Sequence, residues 1–209
     1  MPVKIGRTAM TDQSRAYRMS RRAESQRQTR RRITDSAVAL HGTLGPSKTS
    51  MSAVAAHAGV RRSTLYRHFP DEAALFDACT AHWAASNPLP DLGAWLAVDD
   101  PDQRLPAALV ELYAFYARTE GMLENLFRDE VAVPMVAERF AAFRGYFASA
   151  LDALMTGRNL RGGAKRRTRA VLGHAIAFST WKSLVREQGL NDHEVVELMC
   201  TLVDAAAAR

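Results

Sequence analysis

Residues 49–76 read TSMSAVAAHAGVRRSTLYRHFPDEAALF. Thr49 is a good N-cap residue, and it precedes a short helix through His57 whose Met51, Val54 and Ala55 share one face. Ala58-Gly59-Val60 is a tight turn in which Gly59 supplies a positive φ at little steric cost. A second helix is expected from about Arg61 to His68, stopping before Pro70, and Asp71 caps a third that carries Leu75, Phe76, Cys79 and Trp83. Helix, glycine turn, helix is the helix-turn-helix plan. Ala55 is small where the second helix crosses, and Val60 and Leu65 fill the space between the two. The second helix would then offer Arg61, Arg62, Ser63 and Thr64 to a DNA major groove. An arginine fork suits guanine O6 and N7, and Ser or Thr serves base or phosphate. Tyr66, Arg67 and His68 lie a turn further on, where phosphates would run.

Upstream, helical periodicity begins near Arg21 and ends at His41, with Gly42 as the residue after the cap. Ile33, Ala37 and Leu40 form its apolar face. Residues 1–20 form a basic arm expected to be disordered. Of the 28 Lys/Arg and 22 Asp/Glu in the 209-residue chain, residues 1–80 hold 14 and 6, so the whole positive excess sits there. Most of it lies before Ile33, in a run that includes Arg15, Arg18, Arg21, Arg22, Arg27, Arg30, Arg31 and Arg32. A basic module joined to a near-neutral one fits a polyanion partner for the first, and a solvated basic tail fits equally well. Membrane-surface binding would need an apolar face beside the arginines, and residues 11–32 have almost none.

Downstream, SNPLPDLGAWLAVDDP at residues 86–101 is the joint between modules. This gives a basic arm over 1–20, a helix-turn-helix unit over 21–85 and a second helical unit over 86–209. Helices are expected over 102–119, 122–131, from Pro134 to about Gly157, and over 165–188 and 192–207. Val136, Phe140, Phe143, Phe147, Leu151 and Leu154 make one stripe. Asn191 with Glu194 reads as a capping box. Strand alternation is nearly absent, so the fold class is all-α, with about nine helices.

The string at 49–76, with Thr64-Leu65-Tyr66-x-His68-Phe69 and the Leu75-Phe76 pair, resembles the DNA-binding signature of the TetR (tetracycline repressor-like) family over about residues 24–83. That resemblance implies a homodimeric transcription factor, usually a repressor, on a pseudo-palindromic double-stranded DNA operator. It implies dimerisation through the last two helices and release by a small effector bound among the middle helices. Carried over, phosphate contacts fall on Thr49, Tyr66 and His68, and base or groove contacts on Arg61, Arg62, Ser63 and Thr64. Glu72 stands where the family often has a phosphate-binding lysine, and suits the helix dipole instead. The arm could follow the DNA backbone, enter a minor groove, or only raise non-specific affinity.

The effector is expected to be apolar or aromatic, with Tyr113, Tyr116, Phe127, Phe143, Phe147, His174, Phe178 and Trp181 as its candidate pocket. A solid aromatic core explains the same residues. Arg118, Asn125 and Arg128 could meet an anionic effector or be a solvated face. The alternative function is a constitutive or architectural DNA-binding protein whose C-terminal half only dimerises. An enzyme is not expected: there is no Gly-rich phosphate loop, G-x-S-x-G or HExxH, and Asp129 and Glu130 are adjacent, about 100° apart on a helix. The six histidines show no metal-ligand spacing with Cys79 or Cys200, so no metal or cofactor is expected. Two cysteines exclude a disulfide scaffold, and no apolar run of membrane-spanning length or secretory h-region is read. The expected compartment is the cytoplasm, with no membrane partner.

Overall fold

The computed structural model describes residues 7–208, with side chains from Arg15 onward. The described residues are helical throughout their regular structure, with ten α-helices and no strand. They divide into two compact units at Trp83/Ala84.

The first unit holds α1 (Arg7–Thr43), α2 (Met51–His57), α3 (Arg62–His68) and most of α4 (Glu72–Ser86). Its core is Ile33 and Ala37 of α1, Val54 and Ala55 of α2, and Leu65 and Phe69, all nearly closed to solvent. The helical stretch of α1 starts at Arg7, not near Arg21, so residues 7–20 are helical where a disordered arm was expected; residues 1–6 lie outside the described residues. No Gly or Pro interrupts residues 7–41, and Arg, Ala, Met, Gln and Glu favour the helix locally. The positive-φ glycine after α1 is Gly45 (φ 93°), not Gly42, and Gly45 N–H donates to Leu40 O. Ser50, not Thr49, caps α2: its Oγ accepts from Ala53 N–H at 3.1 Å. The Thr49 hydroxyl turns back to Gly45 O at 2.8 Å, across the 3-10 turn Pro46–Lys48. Gly59 has φ 62° in the turn between α2 and α3, and Asp71 Oδ1 accepts from Ala74 N–H at the start of α4.

The second unit holds α5 (Leu92–Leu96), α6 (Pro101–Glu130), α7 (Pro134–Met155), α8 (Gly162–Ala175), α9 (Phe178–Lys182) and α10 (Asp192–Ala208). The short α5 is unanticipated; Asp91 caps it through Gly93 N–H, and its Trp95 is buried. The two expected helices over 102–131 are one. Gly121 sits on the exposed side, while Thr119 and Leu123 flank it on the buried stripe. Burial of that stripe outweighs the roughly 1 kcal/mol a mid-helix glycine costs. Conversely, the single helix expected over 165–188 breaks at Ile176–Ala177, where Ala177 is extended (ψ 133°), and ends in a π-helical turn at Ser183–Glu187. Two buried phenols of α6 take the carbonyls at the break: Tyr113 Oη–H donates to Ala175 O at 2.9 Å and Tyr116 Oη–H to Ile176 O at 2.5 Å. The capping box of α10 closes in both directions, Asn191 N–H to Glu194 Oε2 and Glu194 N–H to Asn191 Oδ1.

Arg104 holds several carbonyls at once. It is 3% exposed, and its guanidinium donates to the carbonyls of Trp95, Val98, Asp99, Ala153 and Thr156 at 2.7–3.1 Å. A positive charge placed on carbonyls at the ends of α5 and α7 meets the negative poles of those helices. It joins three helices at one point.

Candidate functional sites

The first site is the outer face of α3. Leu65 and Phe69 anchor the helix inward, while Arg61, Arg62, Ser63, Tyr66 and Arg67 are exposed and Thr64 and His68 are half-buried. Arg62 Nη2 lies 3.3 Å from Tyr66 Oη, with the guanidinium 5.5 Å from the ring centre, so the two side chains present a joined donor surface. The imidazole of His68 is held below its ordinary pKa by burial first and then by Arg67 and Arg30, so it is neutral at pH 7 and offers one N–H. Thr49 is half-buried and its hydroxyl proton is engaged by Gly45 O, so donating to a phosphate would require giving up that bond. Arg30, named above only as part of the basic run, has a structural role there. Its Nη1–H donates to His68 O at 2.6 Å and its guanidinium stacks 4.0 Å from the Phe69 ring centre, tying α1 to the end of α3. Nothing in the local pattern separates Arg30 from the arginines around it. Glu72 is exposed in the first turn of α4.

The second site is a cavity of about 650 Å³ in the second unit. Tyr116, Phe127, Phe140, Phe143, Phe147 and Phe178 face it, with Leu151 and Ile176. Phe127 and Phe178 lie parallel, centroids 5.5 Å apart at 9°, and Phe140 stands edge-on to Phe127 at 4.9 Å. The polar groups are few: Glu124, Arg144, Ser179 and Lys182. Lys182 Nζ is 2.7 Å from Glu124 Oε1, and this hydrogen bond raises the ammonium pKa, so Lys182 stays charged. Arg144 pairs with Glu130.

Five of the eight residues expected at a pocket line this one: Tyr116, Phe127, Phe143, Phe147 and Phe178. The other three lie elsewhere. Tyr113 and Trp181 are buried completely and spend their polar atoms on Ala175 O and, at 3.0 Å, on Asp192 Oδ1. His174 is exposed beside Thr180, because the break at Ile176–Ala177 turns the chain between it and Phe178. Phe140, Leu151, Ile176, Glu124, Arg144 and Lys182 were missed. Phe140 and Leu151 belong to the stripe legible on α7; the others depend on how α6, α7 and α9 meet. Arg118 donates to Pro88 O, and Arg128 to Asn125 and Asp129; none of Arg118, Asn125 and Arg128 lines the cavity. Among the described residues no group of three His, Cys, Asp or Glu is placed to hold a metal ion, and no helix is long and apolar enough to cross a membrane.

Residues 33–79 match the family described as bacterial regulatory proteins, tetR family. No curated protein matches the chain. Solved structures share its fold. NalD, the secondary repressor of the MexAB-OprM multidrug efflux pump in Pseudomonas aeruginosa, is 19% identical with a TM-score of 0.58, covering 88% of this chain and 97% of that one. A tetR-family transcriptional regulator from Streptomyces coelicolor is 18% identical with a TM-score of 0.56, covering 87% and 80%. The multidrug binding protein EbrR, solved with imidazole, is 21% identical with a TM-score of 0.51, covering 83% and 88%. Members of the family are transcriptional regulators, not enzymes.

Proposed function

We infer a mechanism for a chain that belongs, through residues 33–79, to the tetR family of bacterial regulatory proteins: it is a homodimeric repressor, released from a pseudo-palindromic operator by a small apolar or aromatic effector. The α3 face carries the DNA reading. Its apolar residues are spent on anchoring, which leaves Arg61, Arg62, Ser63, Tyr66 and Arg67 for the groove and the phosphates. Dimerisation through residues 165–188, which span α8, α9 and the turn after it, and through α10 is supported by Leu198 and Leu202, exposed on α10 at 37% and 42% beside its buried stripe.

The observation that favours an effector over a constitutive DNA-binding protein is the cavity. A purely dimerising domain has no use for about 650 Å³ of space walled by six aromatic rings, and that volume suits a drug-sized ligand. EbrR is named as a multidrug binding protein, which agrees with a small-molecule ligand here.

Mobility shift on the DNA flanking the gene, with excess non-specific competitor, tests the reading. A discrete, salt-sensitive complex is expected. Arg61→Ala or Arg62→Ala should relax specificity at one operator position by about 1–3 kcal/mol. Equal losses on every sequence would reduce those arginines to phosphate contacts, and a smear removed by competitor would refute sequence-specific recognition. Apolar aromatic compounds should release the complex, and Phe127→Ala should blunt that release.

A further inference from the structure

The helix α1 continues far beyond what the first unit needs. Among its described side chains, from Arg15 onward, burial begins at Ile33, yet the helix reaches back to Arg7. From Arg15 to Arg32 it carries eight arginines against one carboxylate, Glu24, and Glu24 is engaged by Arg27 at 2.6 Å. Every side chain from Arg15 to Gln28 is exposed.

Residue propensity favours this helix, but its charges do not. Arg15/Arg18, Arg18/Arg21, Arg18/Arg22 and Arg27/Arg31 repel at i,i+3 and i,i+4 spacings. No acidic residue offsets the positive pole in its first turn. The stretch of about 25 Å thus carries one net positive charge per ~3.6 Å of axis, close to the ~3.4 Å charge spacing of one DNA strand. Arg15, Arg18 and Arg22 fall on one stripe at i, i+3, i+7. Where the exposed stretch ends, Arg30 bonds the last carbonyl of α3, so the extension leaves within one side-chain length of the helix that reads DNA.

We propose that residues 15–32 of α1 form a second DNA-binding element, an arginine helix that lies along the phosphate backbone of duplex flanking the site held by α3. It carries affinity and salt dependence without sequence preference. The inference rests on the DNA-binding reading of α3 and extends it to residues outside the family match.

The test uses the full-length chain and a 40-base-pair duplex of random sequence, with binding followed by fluorescence anisotropy across a salt series. Arg15→Gln/Arg18→Gln/Arg22→Gln should flatten the slope of log K against log salt by about 2–3, which makes the affinity lost between 50 and 200 mM salt roughly 40-fold smaller than for the unsubstituted protein. A charge-matched control, Arg161→Gln/Lys165→Gln/Arg166→Gln, should leave the slope alone. Far-ultraviolet circular dichroism of the free variants checks that folding is kept. An unchanged slope in the α1 variant overturns the proposal, as does an equal change in the control. So does an unchanged DNA slope accompanied by lost binding to phosphatidylserine vesicles, which would give the helix to a membrane surface. If the unsubstituted protein binds no duplex at any salt, the reading of α3 fails as well, so the two failures are told apart.

Discussion

Tyr113 and Tyr116 hold open the break between α8 and α9, and replacing either with Phe removes one hydroxyl and leaves the ring. Each substitution strands a buried carbonyl, which costs about 1–3 kcal/mol. Bond length alone would rank Tyr116, at 2.5 Å to Ile176 O, above Tyr113, at 2.9 Å to Ala175 O. Water access argues the opposite. Ile176 lines the cavity, which brings water nearer its carbonyl, whereas Ala175 is 0% exposed and does not line it. Tyr113→Phe should therefore fall near 3 kcal/mol and Tyr116→Phe near 1 kcal/mol. Urea unfolding followed by circular dichroism measures both, with an unchanged m-value as the check on two-state behaviour. A Tyr113→Phe variant within 0.5 kcal/mol of the parent, or a clearly larger loss for Tyr116→Phe, would refute the account of the break.

Other outcomes are equally definite. Arg104→Met leaves five carbonyls without their shared cation and should cost about 3–5 kcal/mol in the same unfolding assay; a loss under 1 kcal/mol would mean that solvent replaces it. Gly59→Ala should cost about 1–2 kcal/mol and Gly59→Asn less. The space around Gly59 is open, so the penalty comes from its φ of 62°, and a neutral Ala variant would contradict that. Burial raises the pKa of Tyr113, Tyr116 and Tyr146, so only the unfolded chain ionises them as pH passes about 10. Their contribution is complete below pH 10 and is lost above it. Stability should fall from pH 9 to 11.5, less steeply in Tyr→Phe variants. Burial likewise pushes the Cys79 thiol up to about 12, so iodoacetamide at pH 8 should modify it only after unfolding, as mass spectrometry of the digested protein would report.

The parts of this protein that could be read in one dimension are those governed by local rules. Gly59, Asp71 and the Asn191/Glu194 pair act on residues within three or four positions, and each does in the fold what its type implies. The apolar stripe of α7 was legible for the same reason. Where the reading failed, the deciding partner was distant. Nothing near Ile176 breaks a helix; the phenols that do so lie about 60 residues away. Gly121 should interrupt α6 by propensity, but burial of Thr119 and Leu123 overrides it. The cavity was half legible: its rings come from helical stripes, but Trp181 and Tyr113 satisfy the same stripes and point elsewhere. Its charged groups, Glu124, Arg144 and Lys182, had no sequence signal, because they matter only where α6, α7 and α9 meet.

The break at Ile176–Ala177 has a consequence for how the protein would respond to ligand. Tyr116 is at once a wall of the cavity and the donor that fixes the carbonyl after α8, and α8 and α10 belong to the surface proposed to meet the second subunit. A molecule that displaces the Tyr116 ring would thus perturb a helix of the proposed association surface. Linkage makes that relation symmetric: whatever factor the ligand applies to subunit association, association applies to ligand affinity. Ligand titrations on this protein would then give constants that move with protein concentration, with dilution acting as a negative or positive effector according to the sign of the coupling. On the proposed function, the protein would sense its own abundance through the same tyrosine that the effector would displace.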